Sequence, residues 1–338
     1  MGSPEFAVPS LRAIAEAGYN FVRVYTQPDR PAGRGRKLVP PPVKVAAESL
    51  GIPVCQPERL RQNETMVRLR ELQPDLILVA AYGQILRPAV IDLPRFGVIN
   101  VHASLLPRHR GASAIAAAVL AGDAQTGVSV MRIDAGLDTG PVLARRSTPI
   151  QEGDTAGTLT ERLAVLGAGL LVEILPGWLA GEVQAVPQDD SQAIYAPLLS
   201  KDDAAIDWTK PAEVLAREIR AYNPWPLCST HLNGEQVQIL QGLALPGLVP
   251  GDSGPPGTVV ALTGLENALP SAARSLAGIA IRYRQRAARP PGPATRRPQR
   301  HHRRGVRPRG AGADRSTVLV IRLQPALMRR PETPILIN

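Results

Sequence analysis

The sequence has little cysteine: only Cys55 and Cys228 occur in 338 residues, and they lie far apart along the chain. A disulfide framework needs several cysteines at short spacings, so the small, disulfide-stapled class of secreted proteins is excluded. Two isolated thiols are typical of a reducing compartment, and we expect a cytoplasmic protein. The chain is long enough for two domains, and its 44% hydrophobic content supports a buried core.

Membrane spans, metal ligands and nicotinamide motifs are also lacking. No run approaches the roughly 20 apolar residues that cross a bilayer, and no basic stretch followed by an apolar one marks a signal peptide. The pair His301 and His302 lies in low-complexity sequence, and no other group has metal-ligand spacing. Residues 33–38 match the first two glycines of the dinucleotide-binding fingerprint G-x-G-x-x-G, but Leu38 occupies the position of the third. We therefore expect no membrane span, no metal and no nicotinamide cofactor.

Acidic residues are scarce only near the end of the chain. The formal net charge is +10, which by itself indicates nucleic acid as a partner. Residues 282–338 contain 15 arginines, no lysine and two acids, a net charge of +13. Residues 1–281 hold 24 basic and 27 acidic residues, a net charge of −3. The excess positive charge therefore belongs to the tail, and the rest of the chain is close to neutral.

The pattern of apolar residues divides the chain into four parts. Residues 1–183 alternate strand-like runs with helical patterns, which is typical of an α/β domain with a parallel sheet. Residues 184–206 are polar and aperiodic, and we interpret them as a linker. Residues 207–264 combine one helix with strand-like runs around an Asn-Gly turn, which predicts a small, mostly β module. Residues 265–338 are rich in Arg and Pro, and we predict that this tail is disordered.

Polar side chains follow two apolar runs of the first domain. Residues 97–102 are predicted as a buried strand that ends in Asn100 and His102, and residues 127–133 alternate like a strand that leads to Asp138. If the two strands are neighbours in a parallel sheet, these side chains meet at its carboxyl edge, where open α/β sheets bind ligands. A buried strand holds Asn and His at low cost only when they are paired. The sequence therefore predicts a site there.

The motifs around these residues resemble those of one enzyme family. Asn-x-His at 100–102, Ser-Leu-Leu-Pro at 104–107 and Asp-Thr-Gly at 138–140 are specific for transferases that use formyltetrahydrofolate. Gln-Pro-Asp-Arg-Pro-Ala-Gly at 27–33 and Asn-Pro-Trp-Pro at 223–226 are found in the members that modify tRNA. From its first residue to about residue 260, the chain thus resembles the methionyl-tRNA formyltransferase family.

The resemblance implies transfer of a formyl group from 10-formyltetrahydrofolate to the α-amino group of methionine on the initiator tRNA, in support of translation initiation. Attack of the amine on the formyl carbon creates an oxyanion, which needs preorganised donors, and the ammonium must first lose a proton. In the family, the positions that match Asn100 and His102 contact this oxygen. The same resemblance implies that Asp138 orients His102 and helps to manage protons.

The resemblance also implies two binding surfaces. Folate is expected against four residues, Ser104, Leu105, Leu106 and Pro107. The acceptor stem of tRNA is expected against three loop cations, which gain affinity by releasing counterions from phosphates: Arg34, Arg36 and Lys37. The implied fold is a Rossmann-like catalytic domain followed by a truncated OB-like barrel that helps to grip tRNA. We expect a monomer whose partners are initiator tRNA and folate.

The chain departs from the family pattern at three places. Family members begin with a strand before the Gly-Ser-Pro element, which here follows Met1 directly. We expect its absence to expose two strand edges within the sheet, and we interpret Met1 as a start placed too far downstream. His109 stands where the family usually has Trp, and we assign it no role. After Leu262 the sequence diverges into the Arg/Pro-rich tail, which is either a shifted reading frame or a genuine basic extension.

Two other functions stay open at this point. The acceptor could be another amine, on a nucleotide sugar or glycinamide ribonucleotide, although the basic loop and the Asn-Pro-Trp-Pro element argue against it. A second hypothesis is a non-catalytic RNA-binding protein that acts through the arginines of the tail, since phosphate contacts dominate affinity for RNA. We prefer the enzyme, because three separate motifs agree on it.

Overall fold

The computed structural model describes residues 1–32, 35–232, 234–246, 259–260, 279–283 and 317–323. The chain divides into two compact units. The N-terminal unit comprises Met1–Asp203 and Arg220–Pro226, and the C-terminal unit comprises Ala204–Ile219 and Leu227–Asn338. The first boundary, after Asp203, falls near the end of the segment 184–206 that the sequence predicts as a linker.

Helices and strands alternate along the N-terminal unit. The α-helices are α1 (Val8–Glu16), α2 (Pro42–Ser49), α3 (Asn63–Glu71), α4 (Pro88–Ile91), α5 (Ala114–Ala121) and α6 (Ala156–Ala180). The strands are β1 (Val24–Tyr25), β2 (Arg30–Ala32), β3 (Lys37–Val39), β4 (Val54–Cys55), β5 (Ile77–Val79), β6 (Val98–His102), β7 (Gln125–Arg132) and β8 (Val142–Pro149). This alternation confirms the predicted α/β class.

Strands β5 to β8 form a mixed four-stranded sheet in the order β5-β6-β7-β8. β5 and β6 are parallel, whereas β7 is antiparallel to both β6 and β8. β1 and β4 form a separate parallel pair. The prediction that the strand over 127–133 runs parallel to the strand over 97–102 was wrong, because apolar periodicity marks a run as buried but carries no sign of strand direction.

The first residues of the chain lie between the edges of β1 and β5. The Met1 ammonium donates to the Leu78 carbonyl (2.5 Å), and Gly2 pairs in parallel with Ala80. The Gly2 N–H donates to the Tyr25 carbonyl (3.0 Å). Beside them is a cavity of about 520 Å³, lined largely by apolar side chains of β1, β5, α1 and α6. Burial lowers the pKa of the Met1 amino group to about 5, because the charged form is desolvated.

Helix α6 is the long helix that packs against β6, β7, β8 and α1. At its N-terminus, Thr155 Oγ1 accepts from the Thr158 N–H (3.1 Å) and Thr158 Oγ1 accepts from the Thr155 N–H (3.0 Å), which is a capping box. An added Cβ at Gly167 would lie 2.6 Å from Val101 Cγ1. Close packing of α6 on β6 therefore requires glycine at this position.

By length and mean hydropathy (1.9), α6 is the one helix among the described residues that could cross a membrane. The core helix of a globular domain passes the same test, and Leu163, Leu171 and Leu175 of α6 are buried inside the N-terminal unit. Glu173 and Pro176 interrupt the apolar run, which is why the sequence pattern predicts no span. The packing identifies α6 as a core helix.

The C-terminal unit contains a five-stranded antiparallel sheet, preceded along the chain by α7 (Ala212–Ala221). Its strands are β9 (Cys228–Leu232), β10 (Glu235–Pro246), β11 (Val259–Val260), β12 (Ile279–Tyr283) and β13 (Thr317–Leu323), in the spatial order β11-β12-β13-β10-β9. β9 and β10 form the hairpin predicted at the Asn-Gly turn.

Strands β12 and β13 lie within residues 265–338, which we predict to be disordered. For these two strands the prediction was wrong, because each is a run of β-branched and apolar residues that pairs in the sheet. Leu319 and Ile321 of β13 are fully buried. The other residues of this segment lie outside the described residues.

Asp154 stabilises the start of α6. Its carboxylate accepts hydrogen bonds from Arg162 (2.6 Å), the Gln151 N–H (2.7 Å) and Thr158 Oγ1 (3.1 Å). Burial opposes the charge, but these donors together outweigh burial and hold the pKa of Asp154 below its ordinary value of 3.8. Folding therefore favours the ionised form.

We expect Asp154→Asn to lower the free energy of unfolding by about 2–3 kcal/mol near pH 7, because Arg162 loses an ionised partner. A depressed pKa means that this stabilisation is complete above pH 3.8 and is lost as the pH falls through the folded pKa. Urea unfolding of the wild-type chain and the variant should therefore give a smaller difference in free energy of unfolding at about pH 3 than at about pH 7. Glu152→Gln is the control, since Glu152 is exposed; equal losses in both variants would contradict the assignment.

Candidate active site

Strand β6 carries the first two predicted site residues. Asn100 and His102 are two positions apart, so the strand places them on the same face. Asn100 pairs with Val79 of β5 and Met131 of β7, and His102 pairs with Ser129. The half-buried Asn100 side chain has no recorded hydrogen bond within the described part of the chain. Its amide is therefore available to a ligand.

The ring of His102 is buried and held at one nitrogen. Nε2 lies 3.0 Å from the backbone carbonyl oxygen of His109. A carbonyl can only accept, so Nε2 must carry a hydrogen, and in the neutral ring Nδ1 has the lone pair. Nδ1 faces Asp138, with 3.6 Å between Nδ1 and Oδ2. Nδ1 is thus the ring atom that can take up a proton.

Asp138 reaches His102 from the loop between β7 and β8. Its Oδ2 accepts from the Gly111 N–H at 2.8 Å. The 3.6 Å separation from His102 Nδ1 is too long for a hydrogen bond, but the carboxylate there still stabilises a positive charge on the ring. The structure therefore brings His102 and Asp138 together as predicted, although by a loop rather than by two parallel strand ends.

Two residues that the sequence analysis missed hold the loop of Asp138. Gln188 Nε2 donates to the backbone carbonyls of Asp138 (2.8 Å) and Gly140 (2.7 Å). Gln188 Oε1 accepts from Nε (3.1 Å) and Nη2 (2.9 Å) of Arg110, which also pairs with Asp190. No motif signals these contacts, because Arg110 and Gln188 are nearly eighty residues apart.

The segment that contains Gln188 runs along the N-terminal unit, and we call residues 186–196 the strap. Val186 pairs with Val142 of β8. The Arg110 N–H donates to the Ile194 carbonyl (2.8 Å), and the Ala196 N–H donates to the Arg110 carbonyl (2.7 Å). The strap thus lies within the segment 184–206 that we predict as a linker. Isolated strand pairing of this kind has no periodicity that the sequence could reveal.

The predicted folate loop is held from inside by Ser129. Ser129 Oγ accepts from the Leu106 N–H (3.0 Å) and donates to the Ser104 carbonyl (2.7 Å). The Leu106 carbonyl accepts from Arg145 Nε (2.7 Å). A cavity of about 790 Å³ is lined by Leu105, Leu106 and Pro107, together with Arg145 and part of the strap. Ser104 is fully buried and does not line this cavity, and its assignment to folate binding stays a prediction.

His109 supports the carbonyl that contacts His102. Its ring is buried, and its Nε2 lies 2.7 Å from Asp123 Oδ2, which also pairs with Arg108. Burial opposes the charge of Asp123, but the hydrogen bonds from Arg108 and His109 outweigh it and lower the pKa of this carboxyl. His109, to which the sequence assigns no role, therefore anchors the loop at the floor of the site.

The predicted tRNA-binding loop is a small hairpin of β2 and β3. Arg36 and Lys37 are exposed, and Arg36 has a positive φ of 46°. Arg34 lies outside the described residues. The hairpin thus presents two cations to solvent.

Comparison with known proteins places these residues in a family. The chain matches the family model described as "Formyl transferase" over residues 1–175 and that described as "Formyl transferase, C-terminal domain" over residues 198–266. The methionyl-tRNA formyltransferase of Pseudomonas fluorescens is 53% identical over 257 residues, which cover 75% of this chain and 81% of the relative. That of Chloroflexus aggregans is 50% identical over 260 residues, covering 75% and 84%.

Solved structures share the fold. An N-formyltransferase from Helicobacter canadensis, in complex with folinic acid and dTDP-3-aminofucose, has a TM-score of 0.54 at 18% identity and covers 72% of this chain and 86% of that one. A 4-N formyltransferase from Francisella tularensis has a TM-score of 0.55 at 14% identity, with 70% and 93% covered. These likenesses confirm the predicted Rossmann-like fold class.

We expect Ser129→Ala to lower the free energy of unfolding by about 1–3 kcal/mol, because the buried Leu106 N–H and Ser104 carbonyl each lose their partner. Urea unfolding measures this loss. Ser147→Ala is the matched control, since Ser147 lies exposed on the adjacent strand β8. If the two variants differ by less than about 0.5 kcal/mol, Ser129 does not support the loop.

Proposed function

The chain belongs to the formyl transferase family, and from this premise we propose that it transfers a formyl group from 10-formyltetrahydrofolate to the α-amino group of methionyl initiator tRNA in the cytoplasm. One observation carries the proposal: a buried His102 faces Asp138 beside Asn100 in a chain half identical to methionyl-tRNA formyltransferases. The product supports translation initiation.

The reaction exchanges one carbon–nitrogen bond for another. The amine of the methionyl group attacks the formyl carbon and forms a tetrahedral centre that carries an oxyanion. The bond between that carbon and N10 of the folate then breaks, and N10 gains a proton. The attacking ammonium loses two protons overall, one of which balances the proton on N10 while the other is released. The protein must therefore accept a proton and stabilise an oxyanion.

His102 has the geometry of the proton acceptor. Its Nε2–H is committed to the His109 carbonyl, so the ring takes up a proton at Nδ1. Asp138 stabilises the imidazolium that results, because its carboxylate faces Nδ1 at 3.6 Å. The Gly111 N–H donates to this same oxygen, Asp138 Oδ2, and holds the carboxylate in place. We assign His102 as the general base and Asp138 as the residue that orients it.

Asn100 suits the stabilisation of the oxyanion. Its amide is half-buried on the same face of β6 as His102, and no hydrogen bond to it is recorded among the described residues. A preorganised donor of this kind gains most from an oxygen that becomes negative in the transition state. We therefore assign the Asn100 side chain to the formyl oxygen.

We assign the donor to the cavity beside the folate loop. Leu105, Leu106 and Pro107 give it an apolar wall, and Arg145 gives it a cation next to that wall. The donor combines an aromatic pterin, which suits the apolar wall, with a benzoylglutamate tail whose carboxylates suit the cation. We propose that these residues bind the donor, with Ser104 held behind them.

A different acceptor is less well supported. Solved sugar formyltransferases share the fold at identities of 16–21%, and such a likeness shows the fold alone and not the acceptor. The relatives that are half identical act, by name, on methionyl-tRNA. A non-catalytic RNA-binding protein would not need a buried base and a free amide side by side, so the site favours the enzyme.

The assay that tests the function uses the full chain with 10-formyltetrahydrofolate and methionyl initiator tRNA. We expect Asn100→Ala to lower the rate of formylation by about 10²–10³-fold, because one oxyanion donor is lost. Circular dichroism checks that the variant is folded. If the folded variant keeps near-normal turnover, the assignment of Asn100 as an oxyanion donor is wrong. If the chain formylates an amino-sugar nucleotide but not methionyl-tRNA, the acceptor that we propose is wrong.

The hairpin predicts how tRNA affinity depends on salt. We expect Arg36→Ala to weaken tRNA binding and to reduce the slope of log K against log salt by about one, because one phosphate contact is lost. Alanine, like arginine, has a Cβ, so the substitution does not change the steric cost of the positive φ at this position. Arg12→Ala is the matched control, since Arg12 is exposed on α1. An unchanged salt slope for Arg36→Ala would count against the hairpin as a tRNA surface.

A further inference from the structure

We propose that Gln188 of the strap is a positioning residue for the reaction, which acts by holding the loop of Asp138 so that its carboxylate faces His102. The proposal rests on the proposed function, because it concerns the same site. Gln188 touches neither His102 nor the Asp138 carboxylate in any recorded contact. It acts instead on the backbone that carries the carboxylate.

Both hydrogens of the Gln188 amide are used by this loop. One is donated to the Asp138 carbonyl at 2.8 Å and the other to the Gly140 carbonyl at 2.7 Å. A side-chain amide has two N–H donors, so the two bonds exhaust its donor capacity. The two carbonyls flank residue 139, and bonding both fixes the loop at two points.

Arg110 determines which way the amide of Gln188 faces. Arginine can only donate, and its Nε and Nη2 both point at one atom of Gln188, which must therefore be the oxygen. The NH₂ group is then directed at the loop. Arg110 itself is 9% exposed and is paired through its main chain with Ile194 and Ala196 of the strap.

Asp138 needs such support because its backbone is strained. Its φ is +52°, in the left-handed region that non-glycine residues seldom adopt. On the other side of the loop, Asp134 Oδ1 accepts from the Gly136 N–H (3.0 Å) and from Thr139 Oγ1 (2.7 Å). Gln188 supplies the hydrogen bond to the main-chain carbonyl of Asp138. Without it, the strained backbone can relax and move the carboxylate away from His102.

The experiment is a double-mutant cycle on formylation, measured in single turnover so that slow variants are readable. We expect Gln188→Ala to lower the rate of the chemical step by about 10–100-fold, since small misplacements of a catalytic group have effects of this size. The KM for the donor should change by less than about twofold. In an Asp138→Ala background, adding Gln188→Ala should cost less than about twofold, because the group that it positions is already absent.

Two further variants separate positioning from general support. Gln188→Glu keeps the size and the Arg110 contact but has no donor for the two carbonyls, so it should be at least as impaired as Gln188→Ala. Gln84→Ala should retain normal activity: Gln84 is likewise half-buried and accepts from the Leu60 N–H while donating to the Pro57 carbonyl, away from the Asp138 loop. Equal losses from Gln188→Ala in both backgrounds, or wild-type activity of Gln188→Glu, would overturn the proposal.

Amide hydrogen exchange tests the same idea without a substrate. Gln188→Ala should raise exchange in residues 134–140 and at Gly111, whose N–H is bonded to Asp138, while Gln84→Ala leaves both unchanged. Unchanged exchange in Gln188→Ala would show that the loop does not depend on Gln188. If the wild-type chain formylates no methionyl-tRNA, the proposed function fails, and the exchange result still decides the positioning role.

Discussion

The hydrogen bond from His102 Nε2 to the His109 carbonyl fixes the state of the ring on which the site depends. Because the carbonyl can only accept, it determines which nitrogen keeps its hydrogen and which one meets Asp138. The carbonyl is in turn held by a cluster in which the buried His109 ring contacts Asp123, which also pairs with the exposed Arg108. An ionic cluster outside the site thus sets the tautomer inside it, and the choice of residue at 109 matters for chemistry that its side chain never touches.

Close backbone contacts give the site its rigidity. An added Cβ at Gly140 would lie 1.9 Å from the Arg132 carbonyl oxygen, and one at Gly111 would lie 2.5 Å from that of Ala196. The loop of Asp138 is therefore pressed against the end of β7, and Gly111 is pressed against the strap. Glycine is required at both positions, because a side chain there would overlap the neighbouring backbone.

The sequence predicts some parts of this arrangement better than others. Asn100 and His102 share a face because the period of a strand is two, which the run 97–102 shows directly. Asp138 was predicted by its motif, but the stated reason, two parallel strands, was wrong because β7 is antiparallel to β6. Gln188 could not be predicted, since hydrogen bonds between residues about fifty or eighty positions apart leave no local pattern. Strand direction and long-range polar contacts are set by tertiary packing.

The packing of α1 against α6 constrains how this chain can be synthesised. The two helices share a core, yet more than one hundred residues separate them. A ribosome that adds about 5–20 residues per second needs on the order of ten seconds or more to reach α6 after α1 has emerged. Until then Leu11 and Ile14 of α1, buried in the finished protein, lack their partner helix. The N-terminal unit thus completes its core only late in translation. During this interval the nascent chain exposes an apolar surface on α1, which must not aggregate.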